Sequence, residues 1–248
     1  MATLSNAVST PTPQCLNDFA LLPTSLYKLA SMLDQSMAFP ANGVNGIVLF
    51  GLHGTGKTTM ANLLPGLLES SKAHADPENL DPGTLVDTHA PSAQYYACMQ
   101  GQNGVTLIQG IQSSTGFVAW NASGLHYVTL DEVDLLTDAA MTSFKSLMNR
   151  KNVVFIMTTN HLDKIDAGIQ NRSVLIDMNQ PPPATWRPLL RRIYTDASLT
   201  PPSDATLDQV VQAGRGSARS IFNDIVMSAN QARRAGQRQV STVVNIRS

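Results

Sequence analysis

The chain has 248 residues, 43% of them apolar, and a net charge of −1, which is enough to bury a core of its own and too apolar for global disorder. Charged residues make up only 14%, so coating nucleic acid by bulk positive charge is excluded. Cys15 and Cys98 form no CxxC pair and the five histidines are scattered, which excludes a disulfide framework, a structural zinc site and His-based metal catalysis.

Residues 1–14 are polar and rich in Pro, Thr and Ser, the composition of a loose arm. They lack the basic and apolar parts of a secretory signal, and no run approaches the ~20 apolar residues of a membrane span. The expected location is the cytoplasm of a prokaryote or of a phage-infected host cell. Leu26, Leu29, Leu33 and Met37 recur at helical spacing after a Pro23-Thr24-Ser25 start. Gly46 to Phe50 is a short β-rich apolar run and reads as a buried parallel strand. A glycine-rich turn follows, then a helix from Lys57 that Pro65 is expected to break or kink within about two turns.

Residues 71–92 form a polar excursion. Gln94 to Met99 is a second strand, Val105 to Ile111 a helix and residues 120–125 a turn. His126 to Leu130 is a third strand, 137–150 a helix and Val153 to Met157 a fourth strand. A short helix near 162–170 and a strand at 174–176 complete the series. Alternating strands and helices predict an open parallel α/β sheet. Past Pro181-Pro182-Pro183 the pattern is helical, over about 184–194, 205–213 and 217–234. Residues 1–180 carry 8 Lys and Arg against 14 Asp and Glu, a net −6; residues 181–248 carry 9, all Arg, against 4, a net +5. That asymmetry marks two units with different tasks.

Gly51 to Thr58 matches GxxxxGK[ST] between a strand and a helix, where backbone N–H groups can cradle phosphate oxygens. Gly51, Gly54, Thr55, Gly56 and Thr59 belong to this cradle. Lys57 reaches toward β- and γ-phosphates and Thr58 toward Mg²⁺. Asp131 and Glu132 end the third strand, at the edge where such sheets bind ligands. Asp131 suits the Mg²⁺ shell and Glu132 the base that orients an attacking water; the bland alternative is a helix cap. Asn160 would emerge beside them to position water or the γ-phosphate, or simply end a strand.

Taken in order, GLHGTGKTT, VTLDEVD, VVFIMTTN, GIQNRS and GSARSIFNDI resemble the AAA+ ATPases, and within them the clamp-loader clade, especially phage clamp-loader subunits. The resemblance runs from about Leu16 to residue 234. It implies a P-loop AAA+ parallel-sheet domain followed by a small all-helical lid domain. The implied bounds are a flexible arm at 1–15, the nucleotide-binding domain at 16–180, the lid at 181–236 and a basic tail at 237–248. It also implies ATP and Mg²⁺ as cofactors, Lys57 and Thr58 as the Walker A pair, and Asp131 and Glu132 as Walker B with Asp134 completing a DExD form. Asn160 becomes sensor 1, Arg172 an arginine finger and Arg219 a sensor 2 arginine, while Gln100 restrains the catalytic Glu. His53 stands where proline is common, and Asn171 and Ser173 replace the Ser and Cys that usually flank the finger. The collar domain of clamp-loader subunits does not follow the lid.

The expected function is ATP hydrolysis coupled to remodelling of a DNA-associated complex. The expected assembly is a homo-oligomer, ring or helical filament, with active sites between subunits and with DNA or a DNA-bound protein as partner, and no membrane. Lys145, Arg150 and Lys151 are candidate phosphate contacts, as are the arginines at 233, 234, 238 and 247; no basic patch interleaved with aromatics appears in the sequence. Two other readings are a remodeller or regulator of a protein partner and a monomeric small-molecule kinase. Asn160 and the Pro-bounded helical segment with Arg219 disfavour the kinase.

Overall fold

The structure is a computed structural model that describes residues 7–76, 79–86, 90–99 and 104–246, with the side chains of 236–246 excepted. Two compact units result: Pro13–Asn179, and the segment from Gln180 onward together with the described residues up to Thr12.

The first unit is built on a five-stranded sheet. Its strands are β1 (Gly46–Phe50), β2 (Ala93–Ala97), β3 (His126–Asp131), β4 (Val153–Thr159) and β5 (Ser173–Asp177). They lie in the order β2-β3-β4-β1-β5, and every pairing is parallel. β4 is buried along all seven residues and β1 along four of five, because helices cover both faces of the sheet. Side chains alternate between those faces. Ile47, Leu49, Val154 and Ile156 pack with α1 (Pro23–Leu33) and α2 (Lys57–Ala73). Val48, Val128, Phe155 and Met157 pack with α3 (Gly104–Ser114), α4 (Asp138–Leu147) and the single-turn α5 (Ala167–Gln170). The chain leaves β1 toward β2 and leaves β4 toward β5. Adjacent strands with opposite departures open a crevice at their C-terminal ends.

Helix α2 is not broken by Pro65; it runs on to Ala73. A proline lacks the N–H that would bond the carbonyl four residues earlier, which here belongs to Ala61. The Thr129 hydroxyl of β3 donates to that carbonyl at 3.4 Å, so the sheet satisfies what the helix leaves open. Further along α2, Glu69 is only 5% exposed. Its carboxylate accepts from the Ser123 N–H at 3.1 Å, the Ser123 hydroxyl at 2.5 Å and the Tyr127 hydroxyl at 2.9 Å. Burial pushes the Tyr127 phenol up, so it remains a donor. Other elements also differ from the sequence reading. β2 stops at Ala97, β4 extends to Thr159, and the 162–170 segment splits into a 3₁₀ turn at Leu162–Lys164 and α5.

The second unit contains α6 (Pro183–Asp196), α7 (Asp204–Ala213) and α8 (Ala218–Ile246). Pro183 sits in the first turn of α6, where its missing N–H costs nothing. Trp186 meets Phe222 edge-on at 5.8 Å. Arg187 forks onto Asp208, with Nε to Oδ1 at 2.9 Å and Nη2 to Oδ2 at 2.6 Å, and Arg191 pairs with Asp204. Two features add to the sequence reading here. α8 continues to Ile246, so helix occupies the place of a tail over 237–246, since no proline interrupts it. The arm is not wholly loose: Asn230 of α8 brackets Val8, accepting its N–H and donating to its carbonyl, both at 3.0 Å. Among the described residues, no helix is long and apolar enough to cross a membrane.

The Pro65–Ala61–Thr129 arrangement is testable by a double-mutant cycle. Thr129→Val should cost about 1 kcal/mol in the native background by urea unfolding. Much of that cost should vanish in a Pro65→Ala background, where a restored helical N–H serves the Ala61 carbonyl.

Candidate active site

The turn between β1 and α2 begins at the crevice. Gly56 is the N-cap of α2 with φ +95° and no side-chain cap. A left-handed residue there is a glycine's task, and it leaves the first N–H groups of α2 open toward an anion. Gly51 has φ +149°, and a Cβ on it would lie 3.1 Å from Asn179 Oδ1. That same oxygen accepts the Leu52 N–H at 3.0 Å. Thr55 Oγ1 donates to the Leu52 carbonyl at 3.1 Å. Lys57 Nζ donates to the carbonyls of Gly51 at 2.9 Å and Leu52 at 2.6 Å. Burial draws the Lys57 pKa below the usual lysine value, while Asp131, Asp134 and Glu132 oppose the shift.

Thr58 and Asp131, 73 residues apart, meet here: Thr58 Oγ1 lies 3.0 Å from Asp131 Oδ1 and 3.2 Å from Oδ2. Neighbouring oxygen ligands of an octahedral Mg²⁺, each about 2.1 Å from the ion, stand about 3 Å apart. The pair therefore fits the shell of one such cation. Among the described residues no group of three His, Cys, Asp or Glu could hold a metal. Asp131 also accepts from the Thr158 hydroxyl and, at 2.7 Å, from the Tyr95 hydroxyl. Burial, then the bond to Asp131, push the Tyr95 phenol up to about 12, so it stays a donor. Burial, then Asp131, raise the nearby Cys98 thiol to about 12 as well, which makes it a poor nucleophile.

Glu132 has φ 57° and ψ 49°, a left-handed backbone in a residue with a Cβ, a conformation that costs energy and gathers at functional sites. Its N–H donates to Thr158 Oγ1 at 2.9 Å. Its carboxylate is exposed and caps nothing, although Glu132 begins the 3₁₀ turn at Val133–Leu135. Asp134 accepts from Thr159 Oγ1 at 2.8 Å, tying that turn to the end of β4. Thr159 pairs with Phe50 in register. Asn160, one residue on, thus emerges between the phosphate loop and the carboxylates.

Arg172 is not brought to this crevice. Arg172 precedes β5, and its carbonyl accepts the N–H groups of Asn45 and Gly46. It stands at the opposite edge of the sheet, a strand length of about 15 Å from the phosphate loop. Its Nη1 donates to the Gly168 carbonyl at 2.9 Å. Arg219 is exposed on the first turn of α8, in the second unit. Of the suggested phosphate contacts, Lys145 pairs with Asp166 at 3.0 Å, and Arg150 Nη1 donates to Thr115 Oγ1 at 2.9 Å. Lys151 is exposed. Gln100 and the side chains of Arg238 and Arg247 lie outside the described residues.

Three residues at the site escaped the sequence reading. Thr158 links Asp131 to the Glu132 backbone, Tyr95 orients Asp131, and Asn179 holds the phosphate loop open. The Thr158-Thr159 pair at the end of an apolar strand was the available signal for one of them. Tyr95 and Asn179 act from 36 and 127 residues away from their partners.

With this geometry in hand, comparison with known proteins is informative. The solved structure of the Thermotoga maritima RuvB Holliday junction branch migration motor is similar, with a TM-score of 0.59 and 13% identity, covering 89% of this chain and 72% of that one. Its P216G mutant gives a TM-score of 0.60 and 13% identity, covering 89% and 73%. At that identity the likeness concerns the fold. No curated protein sequence matches this chain. Residues 47–178, more than half of the chain and the whole span from β1 to β5, match the ATPase family associated with various cellular activities (AAA), and the chain belongs to that family.

Proposed function

We propose that the chain is a Mg²⁺-dependent ATP hydrolase that works as a head-to-tail homo-oligomer, ring or filament, to remodel a DNA-associated complex in a clamp-loader-like manner. The observation that carries the reading is the meeting of Thr58, Asp131 and Glu132 beside an open helix N-terminus. The likeness of fold to a branch migration motor, and the ordered motifs shared with clamp loaders, support a DNA-bound target.

In this reading the backbone N–H groups of the loop and α2 bind the phosphates, and Lys57 exchanges its loop carbonyls for phosphate oxygens. Thr58 and Asp131 would hold a Mg²⁺ ion, which would supply charge neutralisation to the bound phosphates. Asp131 needs to stay fixed, and the Thr158 and Tyr95 hydroxyls hold it. Glu132, which caps nothing in the turn it begins and is held by its left-handed backbone, accepts a proton from an attacking water. Asn160 donates to that water or to the γ-phosphate. Arg172 serves a neighbour's nucleotide, because the sheet separates it from its own. Arg219 is assigned as the sensor 2 arginine on the resemblance alone.

Lys57→Ala should abolish ATP binding in a fluorescent-nucleotide titration. Glu132→Gln should bind ATP with near-native affinity while hydrolysis falls by about 10²–10⁴-fold; near-native turnover would remove Glu132 from the base role.

Arg172→Ala should keep ATP binding and lose about 10³–10⁵ in hydrolysis rate. Mixing Arg172→Ala with Glu132→Gln subunits should restore part of the activity, because one interface in the mixture joins an intact finger to an intact base. Full activity in a monomeric preparation would overturn the oligomer and place a small-molecule kinase first.

A further inference from the structure

The most exposed apolar surface of the first unit lies on the connection between α3 and β3. Phe117 is 75% exposed, Val118 76% and Trp120 90%. Three large apolar side chains within four residues, all in water, mark an interaction site rather than a stray exposed residue. This segment is also held in place. His126 is only 6% exposed, and its Nε2 lies 2.8 Å from the Phe117 carbonyl oxygen. Asn121 Nδ2 donates to the Leu125 carbonyl at 2.8 Å. Ser123 gives its N–H and hydroxyl to the buried Glu69 of α2. A segment anchored by partly buried bonds on both sides of Trp120 presents its apolar side chains with little ordering left to do on binding.

We infer that Phe117, Val118 and Trp120 form the apolar contact of a head-to-tail interface, and that their occupant is the Tyr95–Met99 end of β2 in a second copy of this chain. The inference rests on the oligomeric reading above and adds to it a contact that no phosphate-site residue supplies.

Three observations select a second copy. All five strands are parallel, so each subunit has two unlike sheet edges, and a head-to-tail repeat brings one against the other. Those edges are complementary in charge. The edge bearing Trp120 also carries a cleft of about 640 Å³ lined by Arg150, Lys151 and Arg172, with no carboxylate in its lining. The opposite edge carries Asp131, Glu132 and Asp134. The edges are complementary in apolarity as well, since Met99 is 55% exposed and Tyr95 48% at the far end of β2.

Strand order then fixes the register. Arg172 precedes the edge strand β5, whereas the phosphate loop and carboxylates it must reach follow β1 and β3. Seating it at the phosphate loop displaces the neighbour by one strand, about 5 Å. The same displacement moves the segment before β3 onto β2, where Met99 and Tyr95 wait. Nucleic acid is the weaker occupant, because residues 113–125 contain no charged side chain and single-strand sites combine stacking with cations.

The test is sedimentation velocity of the full chain with a non-hydrolysable ATP analogue. Trp120→Ala, at a site 90% exposed, should leave the fold and nucleotide binding intact while raising the concentration needed for assembly by about tenfold or more. Met99→Asp should act in the same direction. In a Cys15→Ser background, Trp120→Cys combined with Met99→Cys should give a disulfide-linked ladder on adding the nucleotide, and neither single cysteine variant should. Native assembly by Trp120→Ala, or absence of the ladder from an assembled sample, would overturn the inference. If the Arg172→Ala and Glu132→Gln mixture regains activity in that event, only the Trp120 contact falls. A native chain that stays monomeric with nucleotide would end both. Loss of single-stranded DNA or anionic-vesicle binding by Trp120→Ala, with assembly unchanged, would assign the segment elsewhere and equally overturn it.

Discussion

Everything at the candidate site depends on the strands running the same way. A parallel sheet gathers all its strand C-termini on one edge. The phosphate loop after β1, the carboxylates after β3, the Thr158–Asn160 run ending β4 and Asn179 after β5 therefore converge without any of them being neighbours in sequence. The same constraint separates Arg172 from them. A residue placed before a strand of this sheet is held a strand length away from the crevice, and no side-chain rotation brings it back. The distance between Arg172 and the phosphate loop thus begins with strand direction.

Asp131 shows how the protein manages a charge that must remain available. Hydroxyls of Thr58, Thr158 and Tyr95 surround its carboxylate and fix its orientation. None of the three donors carries a charge, so the group keeps its full attraction for a cation. Glu132 is treated in the opposite way. Its backbone is fixed through Thr158 and a left-handed conformation, while its side chain has no partner in the turn it begins. Adjacent acids in one chain are given different environments, one ringed by hydroxyls and one that caps nothing in its own turn.

The sheet and its motifs were legible because their signals are local. β1 is an apolar run of five residues followed at once by glycines and Lys57, so strand, turn and helix can be read within about a dozen positions. The Thr129–Glu132 stretch is similarly self-announcing. What escaped was long-range or was decided by packing. Asn179 reaches Leu52 across 127 residues, and nothing around it in sequence announces that bond. Pro65 reads as a breaker, yet a threonine on another element satisfies the carbonyl it leaves exposed. The basic C-terminal segment reads as a tail by composition, but helix α8 continues through it. The exposure of Phe117, Val118 and Trp120 was equally hidden, since a short apolar stretch looks the same whether it is buried or not.

The Thr129–Ala61 bond has a mechanical consequence. Along α2, Thr58 meets Asp131, Ala61 meets Thr129 and Glu69 meets Tyr127. The three bonds fall at alternate residues of β3 and run the length of the strand. Helix and strand are thereby laced into one stiff strut that reaches from the phosphate side to the Trp120 side of the sheet. A helix and a strand tied at three points resist separation, so the phosphate end and the Ser123 end of this unit share one bonded member.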